Sequence, residues 1–368
     1  MLRTGKSSLR TGQCPDVSTH ISWPQKVLLR QPTPSSHYPF MLSRVADSVY
    51  WMSRYVERAE NVARFIDVNF QLMLDEAGGE NQQWQPLVNT TGDHKDFKKR
   101  YDAATRENVI HFLTFDSANP NSILSCLRKA RENARTVREI ISSEMWLQIN
   151  RSFLQVKSAV EGANWLDSAN EFFNGIKEAS HLFTGITDAT MAHNEAWHFC
   201  RLGRMLERAD KTSRMLDVKY YILLRSADDV GSAFDDIQWA AVLRSASAFE
   251  MYRKRHGRIS PQGVVEFLIL DRDFPRAIQF CLVAARDSLH AISGTPLGTF
   301  RYPAEKLLGQ LCSDLSFASL DEIITHGLHE YLDVLQTKVN AVGFGIYETF
   351  FAFKAPQSQK KPARVIGQ

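Results

Sequence analysis

The stretch Arg54–Val68, RYVERAENVARFIDV, returns 150 residues later as Arg204–Val218, RMLERADKTSRMLDV. Arg54, Glu57, Arg58, Ala59, Arg64, Asp67 and Val68 recur as Arg204, Glu207, Arg208, Ala209, Arg214, Asp217 and Val218, and the acid Glu60 returns as Asp210. In and beside the first stretch, Tyr55, Ala59, Val62, Ala63, Ile66 and Phe70 fall in one arc at about 100° per residue, which is the signature of a helix with one apolar side. With Arg54 at zero, Glu57 lies at about 300°, Arg58 at about 40°, Asn61 at about 340° and Arg64 at about 280°, so the charged groups share a face beside that arc. Arg204, Glu207, Arg208, Lys211 and Arg214 take the same angles.

Working outward, the displacement becomes 155. Gln83 and Trp84 match Gln238 and Trp239, and Lys99 and Arg100 match Lys254 and Arg255. Phe112, Leu113, Asp116, Pro120, Ile123, Cys126, Leu127, Ala130 and Arg131 match Phe267, Leu268, Asp271, Pro275, Ile278, Cys281, Leu282, Ala285 and Arg286 without slippage. Gly185 and Ile186 echo as Gly345 and Ile346 at a displacement of 160. Helical periodicity also covers roughly 120 to 147, 155 to 186, 190 to 226, 235 to 255, 275 to 292 and 319 to 352, and no β alternation interrupts it. The fold class is therefore all-α: a helical bundle built from a tandem-duplicated unit of three to four helices, repeat 1 over 41–189 and repeat 2 over 190–354. Pseudo-two-fold assembly is expected, because one repeat alone would leave its apolar stripe in water.

The ends read differently. Residues 1–40 carry Pro15, Pro24, Pro32, Pro34 and Pro39, and set Arg3, Lys6, Arg10, Lys26 and Arg30 against the single acid Asp16. They lack an apolar signal core and are expected to be a disordered extension, either a transit peptide or, the favoured alternative, a misassigned start before Met41. Residues 355–368 read as a disordered tail.

Composition narrows the function classes. With 368 residues, 44% of them hydrophobic, the chain can bury a large core. A net charge of +3 is too small for a dedicated nucleic-acid binder, and no apolar window reaches the roughly 18 residues of a membrane span. Neither nucleic acid nor membrane is expected as a partner. Cys14, Cys126, Cys200, Cys281 and Cys312 form no Cys-x-x-Cys pair, so buried, reduced thiols in a cytoplasmic protein are expected. No phosphate loop, dinucleotide fingerprint or nucleophile elbow is present, and no cofactor is expected.

A solvated helix face would let its charges drift, since each surface pair contributes only about 0.2–0.5 kcal/mol. The Arg-x-x-Glu-Arg-Ala pattern, kept in both copies, points to one of two roles. In a buried network, Glu57 would take a bidentate fork from an arginine of a neighbouring helix, Arg131, and Glu207 one from Arg286. In a recognition face, Glu57 would orient Arg54 or Arg58 toward a carboxylate, a phosphate or an acidic partner, with Arg204, Glu207, Arg208 and Arg214 forming the matching set on the second copy. Asp116 and Asp271 read as helix starts, with Pro120 and Pro275 in the first turn, and Trp84 and Trp239 as core anchors. The basic run Arg253 to Arg258 reads as a helix end. Glu178 with His181, and Glu195 with His198, fit the Glu-x-x-His spacing of a di-iron bundle, which leaves a metal-dependent oxidase or hydrolase as the alternative to an accessory or purely structural role. His326 and His329 read as surface or core histidines.

Ser43-Arg44-Val45-Ala46, Tyr50-Trp51 and Arg54-Tyr55-Val56-Glu57-Arg58-Ala59-Glu60-Asn61 resemble the opening of the bacterial Alpha-E domain family, named for its Glu-Arg motif. Trp197, Gly203-Arg204 and Leu206-Glu207-Arg208-Ala209-Asp210 resemble its second motif, and the likeness runs from Met41 to about Ala352. The resemblance implies a place beside a circularly permuted ATP-grasp ligase and a transglutaminase-like protein, in peptide synthesis or modification. Because the chain shows no catalytic motif of its own, it is expected to be a non-catalytic or weakly catalytic accessory module that binds the ligase or its peptide substrate through the two Glu-Arg faces.

Overall fold

The computed structural model describes residues 41–74, 84–162, 168–223 and 233–352, so the expectations for 1–40, 355–368 and Cys14 lie outside the described residues. Among the described residues there are fifteen α-helices and no strand. In chain order they are α1 (Ser43–Leu74), α2 (Gln85–Thr91), α3 (His94–Lys98), α4 (Arg106–Thr114), α5 (Ile123–Thr136), α6 (Ser143–Glu161), α7 (Ala169–Thr190), α8 (Glu195–Leu223), α9 (Ala233–Ser245), α10 (Phe249–His256), α11 (Pro261–Leu270), α12 (Ile278–Ser293), α13 (Pro303–Phe317), α14 (Leu320–His326) and α15 (Leu328–Ile346). A π-helical turn, Tyr347–Phe351, follows α15.

Two long helices organise the rest. No proline or glycine falls within α1, and α8 contains only Gly203, so each runs unbroken. They pack against each other, α1 also packing on α5 and α7, and α8 on α12 and α15. The two run parallel: the Met41 amide meets Glu195 at the start of both, and Glu57 meets Arg208 further along. A Cβ at Gly203 would overlap the Tyr50 carbonyl oxygen, so glycine is what lets α8 approach α1 this closely. One apolar cluster gathers Ala59, Ile66, Trp84, Phe112 and Phe173 around the second half of α1. A larger one joins Tyr50, Phe199, Leu206, Cys281 and Val342 between α1, α8, α12 and α15. Trp84 and Trp239 are both buried.

Several helices are shorter than periodicity suggested. The run from 120 to 147 breaks where Ser142 accepts the Met145 N–H and caps α6. The run from 235 to 255 breaks at Ser247, whose φ of 49° no helix accommodates, and that from 319 to 352 breaks at Gly327, φ 96°. Pro120 and Pro275 do not occupy a first helical turn. They lie in turns closed by Asp116 and Asp271, three residues before α5 and α12 begin.

Candidate functional site: a buried glutamate–arginine clasp

Because α1 and α8 turn their charged faces toward each other, each motif takes its partners from the other. Arg208 Nε and Nη2 donate to the two carboxylate oxygens of Glu57, both at 2.8 Å. Arg58 Nε and Nη2 donate to those of Glu207 at 2.6 and 3.0 Å. These are bidentate fork pairs, the strongest geometry available to the two side chains. Glu57 and Glu207 are 1% and 0% exposed, so neither carboxylate faces solvent.

Each carboxylate has a second arginine, and the two come from different places. Glu207 takes Arg54, whose Nη2 lies 2.7 Å away while its guanidinium packs 4.8 Å from the Trp51 ring. Glu57 takes Arg276 at 3.2 Å, from the turn just before α12. Arg276 also meets Glu60, which accepts from Arg64 at 2.7 Å and from Ser180 at 2.6 Å. The turns complete the frame: Arg58 donates to Asn121 Oδ1 at 2.7 Å, and Arg208 reaches the Pro275 carbonyl at 3.4 Å. Arg214 pairs with Asp210 at 3.0 Å. Arg204 lies apart from the forks. It is 7% exposed, and among the described residues it meets an acid only at Asp188, 3.8 Å away, and its Nε has no hydrogen-bond partner.

The partners assigned to the glutamates from sequence are corrected. Arg131 does not reach Glu57: it donates to Asn150 at 2.7 Å and packs 5.3 Å from the Phe153 ring. Arg286 does not reach Glu207 and pairs with its neighbour Asp287 at 2.9 Å. Both project from faces of α5 and α12 that the α1–α8 seam does not use. Arg276 escaped the sequence comparison because the position 155 residues earlier is Asn121. Its one local signal is its place directly after the Asp-x-x-x-Pro turn.

The di-iron alternative is also corrected. Glu178 is exposed, and His181 Nε2 lies against Glu60 at 3.2 Å. Glu195 accepts the Met41 amide, and His198 packs on the Trp197 ring. No group of three or more His, Cys, Asp or Glu side chains among the described residues could hold a metal ion. Nor is any helix there long and apolar enough to cross a membrane.

Charge and burial compete at each carboxylate. Burial pushes the Glu207 carboxyl upward, but Arg58, Arg54 and Lys211 override it and hold it well below the usual 4.5. At Glu57 burial is likewise outweighed, here by Arg208 and Arg276, and Glu60 is held well below 4.5 chiefly by Arg276 against the same burial. Asp210 is lowered to about 2 by Lys211 and Arg214 despite its burial. Burial brings Arg276 down to about 10, the Glu60 charge holding it up only in part. Carboxylates held this low are poor general bases near neutrality. With their oxygens already occupied, the arrangement is suited to holding two helices together.

An all-α bundle seamed by two Glu-Arg pairs is thus the class of structure present. The chain belongs to the Alpha-E family, described as a predicted alpha-helical domain with a conserved ER motif, whose model matches residues 41–351. It is similar to uncharacterised proteins of Mycobacterium bovis and of two strains of Mycobacterium tuberculosis, each 21% identical over 320 residues, covering 81% of this chain and 35% of the relative. The chain therefore spans about a third of the length of the curated relatives it matches. No solved structure matches it.

Proposed function

We propose that this chain is a cytoplasmic accessory module of a peptide-synthesis or peptide-modification system, working beside an ATP-grasp ligase and a transglutaminase-like protein. Within it the Glu-Arg motif acts as an internal clasp. The observation that carries the clasp is the reciprocal pair of buried forks, Glu57 to Arg208 and Glu207 to Arg58. Donors already spent on buried carboxylates are not free for a partner, so the module would meet its ligase through other surface.

The clasp also supports a tandem duplication folded about a pseudo-two-fold axis running along α1 and α8. Equivalent contacts recur at equivalent positions: Arg100 with Asp116 and Arg255 with Asp271. Cys126 and Cys281 approach the carbonyls of Pro120 and Pro275 in the same way.

Two measurements separate the roles. Co-purification with the ATP-grasp ligase of the same genome tests the accessory assignment, and absence of any association would end it. Glu57→Gln tests the clasp: lowered thermal stability with association kept while folded is expected. Unchanged stability with lost association would return the motif to the role of a docking face.

A further inference from the structure

Away from the clasp, three arginines face one pocket of about 360 Å³ between α8, α12 and the end of α13. Arg201 comes from α8, Arg286 from α12, and Arg272 from the turn between α11 and α12. Only Arg286 has a carboxylate partner, Asp287, at 2.9 Å. Arg201 donates to Ser288 Oγ at 3.4 Å and Arg272 to the Ser316 carbonyl at 3.5 Å, and neither has an acid within ion-pair distance among the described residues. Three guanidinium groups against one carboxylate leave the pocket cationic.

Arg131, at the position equivalent to Arg286 across the 155-residue displacement, packs on two rings of α6, Trp146 at 5.7 Å and Phe153 at 5.3 Å. Arg286, exposed to much the same extent, lines the pocket instead. The helix starts differ as well: Ser122 accepts the Ser125 N–H and caps α5, whereas Ala277 at the same place leaves α12 without a side-chain cap. The first turn of α12 supplies Gln279 and Phe280 to the pocket wall, so the positive end of that helix adds to the arginines. Gln279 is buried, and in the amide orientation that satisfies both its ends its oxygen accepts from Arg272 Nε at 3.3 Å, bracing that side chain.

We propose that this pocket binds an oxyanion, a carboxylate or phosphoryl group held by the guanidinium groups of Arg201, Arg272 and Arg286, with the apolar part of the ligand on Phe280 and Val283. The guanidinium fork matches both groups bidentately. The volume is at the small end for ligand sites, about 300–1,000 Å³, which suits something of amino-acid to dipeptide size. Neither the clasp nor a ligase enters this inference, so it stands or falls apart from the proposed function.

Calorimetric titration of the full chain with diglutamate, and separately with inorganic phosphate at matched ionic strength, tests it. At least one probe should saturate a single site per chain. Saturation by diglutamate alone makes the ligand a carboxylate, and saturation by phosphate alone makes it a phosphoryl group. Arg272→Gln, at an exposed turn position, should weaken binding about tenfold or more, as loss of a charge-assisted hydrogen bond does, and Arg286→Gln should do likewise. Arg151→Gln, on the distant α6 surface, should bind as the parent does. The proposal is overturned if neither probe saturates in the millimolar range, if both pocket variants bind unchanged, or if Arg151→Gln weakens binding equally.

Discussion

Replacing Glu207 by Gln removes one charge and almost no volume, so the expected loss is electrostatic. The side chain is fully buried, with Arg58 at 2.6 Å and Arg54 at 2.7 Å, and both guanidinium groups are themselves mostly buried. A neutral amide leaves these cations beside an acceptor of half the capacity and turns an NH2 group toward donors. Breaking a buried pair by removing one partner costs about 3–5 kcal/mol. For the roughly 310 residues of the domain, an unfolding entropy of about 2.1 cal/mol/K per residue gives about 0.65 kcal/mol/K, so Tm should fall by about 5–8 °C. Urea unfolding of Glu207→Gln, Arg58→Gln and the double variant closes a double-mutant cycle. The double variant should cost about 1–3 kcal/mol less than the sum of the singles, because the second change removes a cation the first had stranded. Strict additivity, or single losses under about 1 kcal/mol at an unchanged m-value, would show that the forks are not a coupled buried unit.

Acid should act through the same groups. Glu57, Glu60 and Glu207 all titrate below 4.5 when folded, so their contribution is present above the unfolded carboxyl pKa of about 4.3 and is lost as pH falls through the lower folded values. Stability should therefore hold to about pH 5 and drop steeply below about 4, with a shallower acid slope for Glu207→Gln; equal slopes in urea titrations across pH would contradict this. Gly203→Ala should force α1 and α8 apart and cost about 1–3 kcal/mol, as overpacking does, and a melt matching the parent's would place the close approach elsewhere. Replacing Arg54, Glu57, Arg58, Glu207 and Arg208 together by Met, which leaves Arg276 its other acid Glu60, should leave thermal stability near the parent value while broadening the amide NMR spectrum. A sharp, single-state spectrum would refute a register role for the charges.

Helix content was legible because long amphipathic stretches carry an unmistakable period, and α1 and α8 have neither proline nor a run of glycines to break them. The breaks at Ser142, Ser247 and Gly327 were not, since one capping hydroxyl or one left-handed residue leaves the apolar pattern on either side intact. At the site, the displacement search selected Glu57, Arg58, Glu207 and Arg208, but a helical wheel gives a face without saying what it faces. Arg131 and Arg286 recur as the glutamates do, yet recurrence is blind to direction. Arg276 does not recur, although it serves Glu57 much as Arg54 serves Glu207.

A buried ion pair is weak evidence for stability, because desolvation consumes most of its Coulombic gain and an apolar replacement often does as well. What the forks add is register. The facing sides of α1 and α8 are nearly alike in sequence, so an apolar seam would lose little if one helix slid past the other by a turn, about 5.4 Å. The charged seam discriminates sharply. Sliding α8 by four residues in one direction sets Glu57 against Thr212 and Arg58 against Lys211, which strands an acid and opposes two cations. Sliding it the other way lets Glu57 keep an arginine, Arg204, but turns Arg58 toward Gly203 and carries Glu207 away from both its partners. Gly203 enforces the same alignment sterically, since only there can the Tyr50 backbone approach α8 without meeting a Cβ. Two helices of similar sequence, laid side by side and parallel, need such a device more than dissimilar helices do, and this is a physical reason for Glu-Arg to be present on both.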